Sequence, residues 1–288
     1  MEKSLERFLN KVICGDALKV LKKMPDGKIH MAITSPPYNL GINYATYNDN
    51  LEYDQYLEWL KEVFSQTNRV LVDGGRLAIN IAPTSIKNFK PIHHDISKIV
   101  RDIGMIMRTE IIWYKQSMKK RTAWGSWISP SNPHIIPSWE YIMVFSKKQW
   151  RLEGKREDAD IHPDEFEMYS DGFWQIPPDE NDDGFWRIAA ERVRNGHPAP
   201  FPENLIYRLI KFYTYKDNIV LDMFGGTGTV AYVAMETDRR FVHIDISEEY
   251  CRNALSRLAQ LCKTQTTLNV CEKTEVEKVK PEILVLEG

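Results

Sequence analysis

The chain has little cysteine: four residues in 288, at Cys14, Cys251, Cys262 and Cys271, with no C-x-x-C pair. That count argues against a disulfide framework and a thiolate zinc site, and the thiols read as reduced. No apolar run approaches the ~20 residues that a bilayer-crossing helix needs. The opening Met-Glu-Lys-Ser-Leu-Glu-Arg lacks the apolar region of a signal peptide, so a cytoplasmic protein is expected. Charge of one sign is also lacking. Lys plus Arg is 38 and Asp plus Glu is 40, a net charge of −2. Nothing overall draws the chain to nucleic acid, and a nucleic-acid binder would have to gather its cations on one face. No repeat of solenoid length occurs, only the local pair Asp171-Gly-Phe-Trp174 and Asp183-Gly-Phe-Trp186. What remains is a 43% hydrophobic chain, enough for one large α/β domain or two smaller ones.

Thr34-Ser35-Pro36-Pro37-Tyr38 follows the apolar run Ile29-His30-Met31-Ala32-Ile33, which reads as a buried strand. Neither proline offers an N–H to a ladder, so the chain must leave the sheet in a stiff loop. That loop holds a hydroxyl (Ser35), a carbonyl (Pro36) and an aromatic face (Tyr38) in nearly fixed relation. Two acceptors can grip one amino group, and a ring can stack on a heterocycle. A plain strand-ending turn is the alternative reading.

Asn218-Ile-Val-Leu-Asp222 reads as a second strand, followed by Met223-Phe224-Gly225-Gly226-Thr227-Gly228-Thr229 and a helical run, Val230 to Glu236. Glycines there permit positive φ and close approach of a ligand to the backbone. Arg240 to Asp245 reads as a further strand ending in a carboxylate, about 20 residues past the turn, where ribose hydroxyls can be held. The pattern fits a nucleoside-binding βαβ unit without being G-x-G-x-x-G, and a nicotinamide oxidoreductase remains a rival.

Elsewhere the periodicities predict a strand over 8–13, a helix over 17–24 and a long helix over 53–71 ended by Gly74-Gly75. Strands are expected over 76–82, 105–114 and 141–145, with helices over 92–103, 202–215 and 247–262. The polar and aromatic stretch 39–51 reads as a flap, and Ile283 to Leu286 as an edge strand. Lys115 to Trp127 interleaves Lys119, Lys120 and Arg121 with Trp124. Such a loop can meet phosphates and stack on an unpaired base, or it can be a solvated hairpin tip. Glu153 to Asp183 is strongly acidic and would repel a phosphate backbone. Arg187, Arg192 and Arg194 are the better candidates there for meeting phosphates.

Ser35-Pro-Pro-Tyr38 with Asp222-x-Phe-Gly-Gly-x-Gly228 resembles the amino-methylating DNA methyltransferases. The tetrapeptide precedes the glycine turn, as in their beta class, and Gly15-Asp16-Ala17-Leu18 and His197-Pro-Ala-Pro-Phe201-Pro202-Glu203 match further motifs. The resemblance covers residues 10–150 and 195–262. It implies an α/β fold with a doubly wound, mostly parallel, Rossmann-like sheet and a small target-recognition lobe. The expected division is 1–145 (catalytic part), 146–195 (target recognition), 196–262 (cofactor-binding part) and 263–288 (appendage).

The resemblance also implies roles. S-adenosylmethionine would be the methyl donor, with no metal. Asp16 would bind its adenine end, where a helix N-cap is the plainer reading. Asp222 would anchor its methionine end and Asp245 its ribose. Thr34, Phe201, Pro202, Phe224, Gly225, Gly226, Thr227, Gly228 and Thr229 would line the pocket. Ser35 Oγ and the Pro36 carbonyl, backed by Pro37, would accept from the target amine while Tyr38 stacks on the extruded base. No cysteine follows the prolines, so nothing suggests carbon-5 methylation. Serine in first position favours cytosine-N4, with adenine-N6 the close alternative and a non-catalytic nucleic-acid binder on the same fold a more distant one. Double-stranded DNA is the expected partner, and a cognate restriction endonuclease is a candidate. The oligomeric state expected is monomer or homodimer, away from membranes.

Overall fold

The computed structural model describes residues 4–39, 43–44, 47–48, 51–82, 90–115, 125–126, 128–135, 137–176, 202–272 and 282–285, of which 43–44, 47–48, 263–272 and most of 282–285 are described by their backbone alone. Its strands are β1 (Lys11–Cys14), β2 (Ile29–Thr34), β3 (Asn43–Tyr44), β4 (Tyr47–Asn48), β5 (Leu71–Ile81), β6 (Met105–Tyr114), β7 (Trp139–Lys147), β8 (Phe173–Gln175), β9 (Ile219–Asp222), β10 (Arg240–Asp245) and β11 (Glu282–Val285). Its α-helices are α1 (Ala17–Lys23), α2 (Tyr53–Val70), α3 (Ile92–Asp102), α4 (Pro163–Tyr169), α5 (Glu203–Tyr213), α6 (Thr229–Glu236) and α7 (Glu248–Glu272).

Nine strands form one sheet in the order β11-β1-β10-β9-β2-β5-β7-β6-β8. Every neighbouring pair is parallel except those of β7, which runs against β5 and β6. Both faces are covered, which is why the central strands β2 and β9 are almost wholly apolar and buried. One core packs α1, α2 and α3 against the sheet through Leu21, Tyr56, Phe64 and Ile96. The other packs α4 to α7 through Tyr169, Leu205, Ile206, Val233 and Leu258. This is the doubly wound arrangement, and β8 and β11 close its two edges.

The chain runs outward from β2 to β5 and, in the other direction, from β9 to β10. The switch point therefore lies between β2 and β9, where open α/β sheets place their ligands.

Several boundaries differ from the periodicity. The long helix ends at Val70, and Gly74-Gly75 lies inside β5. The glycines serve a bulge, since Ile29 pairs with Leu71 and Met31 with Arg76. Gly74 has φ +76°, and a Cβ there would sit 1.8 Å from the Arg151 carbonyl oxygen, so a passing segment requires the glycine. The first strand is only Lys11–Cys14, with Phe8 buried in the turn before it. α5 begins at Glu203 with Pro202 as its N-cap, and α7 runs on to Glu272.

Within residues 146–176, β8 pairs with β6 and extends the main sheet. Trp174 of β8 is buried, and its ring N–H donates to the Tyr169 carbonyl. Among the described residues, no helix is long and apolar enough to cross a membrane.

Candidate active site

Ser35 to Tyr38 leave the carboxyl end of β2 as expected of a strand meeting two prolines. The Ser35 hydroxyl donates to Tyr38 Oη at 3.2 Å. Tyr56 of α2 donates to the Pro37 carbonyl at 2.7 Å and pins the loop from below. Among the described residues no donor reaches the Pro36 carbonyl, which leaves that acceptor open. Tyr38 is buried, and its hydroxyl also faces Asn80 Nδ2 at 3.5 Å. Beyond the loop, Asn39 takes φ 53° and brackets Leu51, donating to its carbonyl at 2.7 Å and accepting from its N–H at 2.8 Å. It thereby fastens together the two ends of the 40–50 stretch.

The loop meets the glycine turn at the switch point. Thr34 Oγ1 donates to Asp222 Oδ1 at 3.0 Å across the β2–β9 junction, and the Phe224 N–H donates to the same oxygen at 3.1 Å. Asp222 is buried with only neutral donors. Burial, reinforced by the nearby Asp245 charge, outweighs those donors and raises its carboxyl to about 7. One strand along, Asp245 accepts from the Gly226 N–H and the Ser247 N–H, both at 2.8 Å. Burial raises its carboxyl too, against those backbone donors. These backbone bonds still leave lone pairs for ribose hydroxyls. The Gly15 N–H donates to the Asp245 carbonyl at 2.9 Å and sets Asp16 beside it. Asp16 caps α1, accepting from the Lys19 N–H at 2.9 Å, so its capping reading holds. Asp16, Asp245, Asp222 and Ser35 thus line the carboxyl edge in strand order β1-β10-β9-β2. A row of carboxyl groups around a glycine turn, with no cation facing Asp222 among the described residues, fits a cationic nucleoside.

The glycines have a further cause in the protein itself. A Cβ on Gly225 would lie 2.2 Å from His243 Nδ1, and one on Gly228, at φ +83°, would lie 2.8 Å from Ala254 Cβ. His243 under the turn is fully buried, and neither ring nitrogen has a partner among the described residues. Burial lowers it to about 4, so it packs as a neutral ring. Phe224 packs on Trp59 of α2, with ring centroids 5.5 Å apart. Thr227 and Pro202 are buried. Thr229 is turned to the protein, its hydroxyl accepting from Arg257 at 3.0 Å. Phe201, Lys119, Lys120, Arg121, Trp124, Arg187, Arg192 and Arg194 lie outside the described residues. Among the described residues no cluster of His, Cys, Asp and Glu could hold a metal ion.

Sequence reasoning missed a polar set behind the loop. Asn80 of β5 donates to Glu140 of β7, and Glu140 pairs with Lys115 at the end of β6. A lone Asn inside Leu77-Ala-Ile-Asn-Ile81 was the available signal, since a polar residue in a buried strand needs a partner.

A family model described as DNA methylase, of the N6/N4 type, matches residues 29–256. The Methanocaldococcus jannaschii type II methyltransferase M.MjaVI is 39% identical over 155 residues, 54% of this chain and 79% of that protein. The Escherichia coli DNA adenine methyltransferase YhdJ is 27% identical over 293 residues, 95% of this chain and 94% of that protein. The Thermus thermophilus protein TTHA0409, solved with S-adenosyl-L-methionine, superposes with a TM-score of 0.72 at 25% identity, covering 96% of this chain and 99% of that one.

Proposed function

The chain belongs to the N6/N4 family of DNA methylases, and from that premise we propose that it methylates the exocyclic amine of a base extruded from double-stranded DNA, cytosine N4 first. The observation that carries this reading is the Thr34–Asp222 hydrogen bond of 3.0 Å, which couples the amine-gripping loop to the nucleoside-binding turn. S-adenosylmethionine, present in the superposed Thermus protein, would supply an electrophilic methyl group. Asp222 and Asp245 would hold it, and Asp16 would face its adenine end.

The chain's own contribution is electrostatic and geometric. An exocyclic amine is a poor nucleophile because its lone pair is delocalised into the ring. Acceptors at Ser35 Oγ and the Pro36 carbonyl favour the pyramidal nitrogen of the transition state, and the rigid loop supplies orientation. The Tyr38 ring would stack on the base. Stretch 116–124 follows Lys115 at the carboxyl end of β6, the same sheet edge as Ser35. That placement supports Lys119, Lys120, Arg121 and Trp124 as DNA contacts, and Arg187, Arg192 and Arg194 are proposed with them. The type II naming of M.MjaVI supports a cognate restriction endonuclease as partner.

Serine in the first loop position supports cytosine N4. The adenine specificity in the name of the Escherichia coli relative supports adenine N6 as the second reading. Expression in a methylase-deficient host, followed by sequencing that separates methylcytosine from methyladenine, decides between them. Modified cytosine at one recurring motif is expected. Modified adenine would transfer the assignment to N6, and unmodified DNA would remove the activity.

A further inference from the structure

The connection between β6 and β7 carries a tip that the site described above does not use. β6 finishes and β7 starts at the same sheet edge as Ser35, two to three strand spacings from β2, roughly 10–15 Å away. Ser126 organises the tip. Its hydroxyl donates to the Ser129 carbonyl at 2.7 Å and accepts from the Asn132 N–H at 2.8 Å, and its own N–H donates to the Asn132 carbonyl at 2.8 Å. Pro130 and Pro133 stiffen the returning arm. Gly125, at φ +68°, is required because a Cβ there would lie 2.1 Å from the Asn132 carbonyl oxygen. On this frame Ile128 stands 86% exposed.

An exposed isoleucine is ordinary by itself. This one is set apart by its φ of 53°. Among the described residues six non-glycine positions take positive φ. Four are Asn or Asp, which adopt it readily, and Ile128 alone is β-branched. Its branched Cβ crowds the backbone there, whereas glycine or asparagine would turn the chain with little strain. Ile135, 82% exposed in the same connection, has no positive φ. Strain and exposed apolar surface thus fall together on one residue, held still and turned to solvent.

Building on the reading above, we propose that Ile128 is a wedge that enters the base stack of the target duplex and fills the gap left by the extruded base. An apolar wedge holds the neighbouring pairs apart, and its burial against their faces offsets part of the cost of unstacking. A stiff tip loses little freedom on insertion. Lys119, Lys120 and Arg121 lie just before the tip in the sequence, so their phosphate contacts would hold the duplex against it.

The test measures single-turnover methyl transfer to two duplexes carrying the methylated motif, one with the target base paired and one with it mispaired. Mispairing removes much of the cost that a wedge offsets. Ile128→Gly and Ile128→Asn suit the backbone and delete the wedge. Each should slow transfer about 10- to 100-fold on the paired duplex and no more than about threefold on the mispaired one. Ile128→Leu, which keeps the apolar bulk, should stay within about threefold of wild type on both, and so should Ile135→Ser. The denaturation midpoint of Ile128→Gly should not fall, because glycine is at home at positive φ. Kd for S-adenosylmethionine should stay within about twofold, since the tip holds no part of the cofactor. A rate loss equal on both duplexes, or none on the paired one, overturns the wedge and leaves the function standing. A loss in Ile128→Leu or Ile135→Ser as large as in Ile128→Gly overturns it too. A wild type that methylates no DNA sinks the function proposed above, and the wedge with it.

Discussion

Two aspartates at opposite ends of the sheet, one half-buried and one fully buried, show what a carboxylate withdrawn from water is for. Asp160 packs beyond the amino ends of the strands, against Arg239, whose side chain is 0% exposed. Arg239 donates to both of its oxygens, at 2.7 and 2.6 Å, and Lys211 approaches at 2.9 Å. Burial alone would raise this carboxyl, but the two cations more than reverse that and hold it at about 2. Asp222, at the carboxyl edge, has a hydroxyl and an amide N–H and is pushed to about 7. The first carboxylate is complete within the protein and contributes stability. The second has no countercharge among the described residues, and its raised carboxyl is consistent with the cationic ligand proposed for it. Part of the acidity of the 153–183 stretch, Asp160, is thus used to fasten its own loop to α5 and to the residue before β10.

The largest effect should follow from breaking the complete site. Asp160→Ala leaves the buried Arg239 guanidinium without its carboxylate and is expected to cost about 3–5 kcal/mol. Urea denaturation measures this, and titration calorimetry should find cofactor affinity unaltered. A loss of affinity without a loss of stability would abolish the contrast between the two ends. Next comes the catalytic edge. Ser35→Ala removes one amine acceptor and leaves the Pro36 carbonyl, so kcat should fall on the order of 10- to 1,000-fold while the denaturation midpoint hardly moves. Single-turnover methyl transfer to a DNA duplex reads it.

The two ends were unequally legible in the sequence. Pro36-Pro37 and the glycine turn are local signals, because each residue dictates its own backbone, and both fell where expected. The contacts that turn them into a site are not local. Thr34 and Asp222 are 188 residues apart and Asn80 and Glu140 are 60 apart, so only the sheet order brings them together. Gly74-Gly75 misled because a glycine pair marks a helix end and a strand bulge alike. β8 is three residues long inside an acidic stretch and offers too little periodicity to see. The Asp160–Arg239 pair spans 79 residues and gave no local sign.

A smaller effect sharpens the functional end itself. Asp245→Ala deletes acceptors for the ribose hydroxyls and should weaken S-adenosylmethionine by about 1–3 kcal/mol. Calorimetry against wild type measures it, and an unchanged Kd would remove Asp245 from the pocket. Its bonds to the Gly226 and Ser247 N–H groups mean that Asp245→Asn, which keeps an acceptor toward the turn, should retain more affinity than Ala.

The smallest effect is the most diagnostic of the comparison, because the two aspartates give opposite signs with pH. Asp160 lies below the ordinary value of 3.8, so its stabilisation is fully present above that pH and is lost as pH falls toward about 2. Asp222 lies above the same value. The free protein is therefore favoured while Asp222 is protonated, and that contribution is lost as pH rises from about 4 through about 7. A cationic ligand beside Asp222 favours the carboxylate and must expel its proton. Below pH 7, binding then releases a proton, and affinity for S-adenosylmethionine should rise with pH by up to roughly tenfold between pH 6 and 7.5 before levelling off. Asp222→Asn, with no proton to lose, should bind weakly and show no such slope. Calorimetry in two buffers of different ionisation enthalpy counts the released proton directly. A wild-type Kd that is flat over this range, with no proton released, would mean that Asp222 is already ionised in the free protein. The carboxyl edge would then hold a satisfied charge, as the amino end does, and the distinction between the two aspartates would fail.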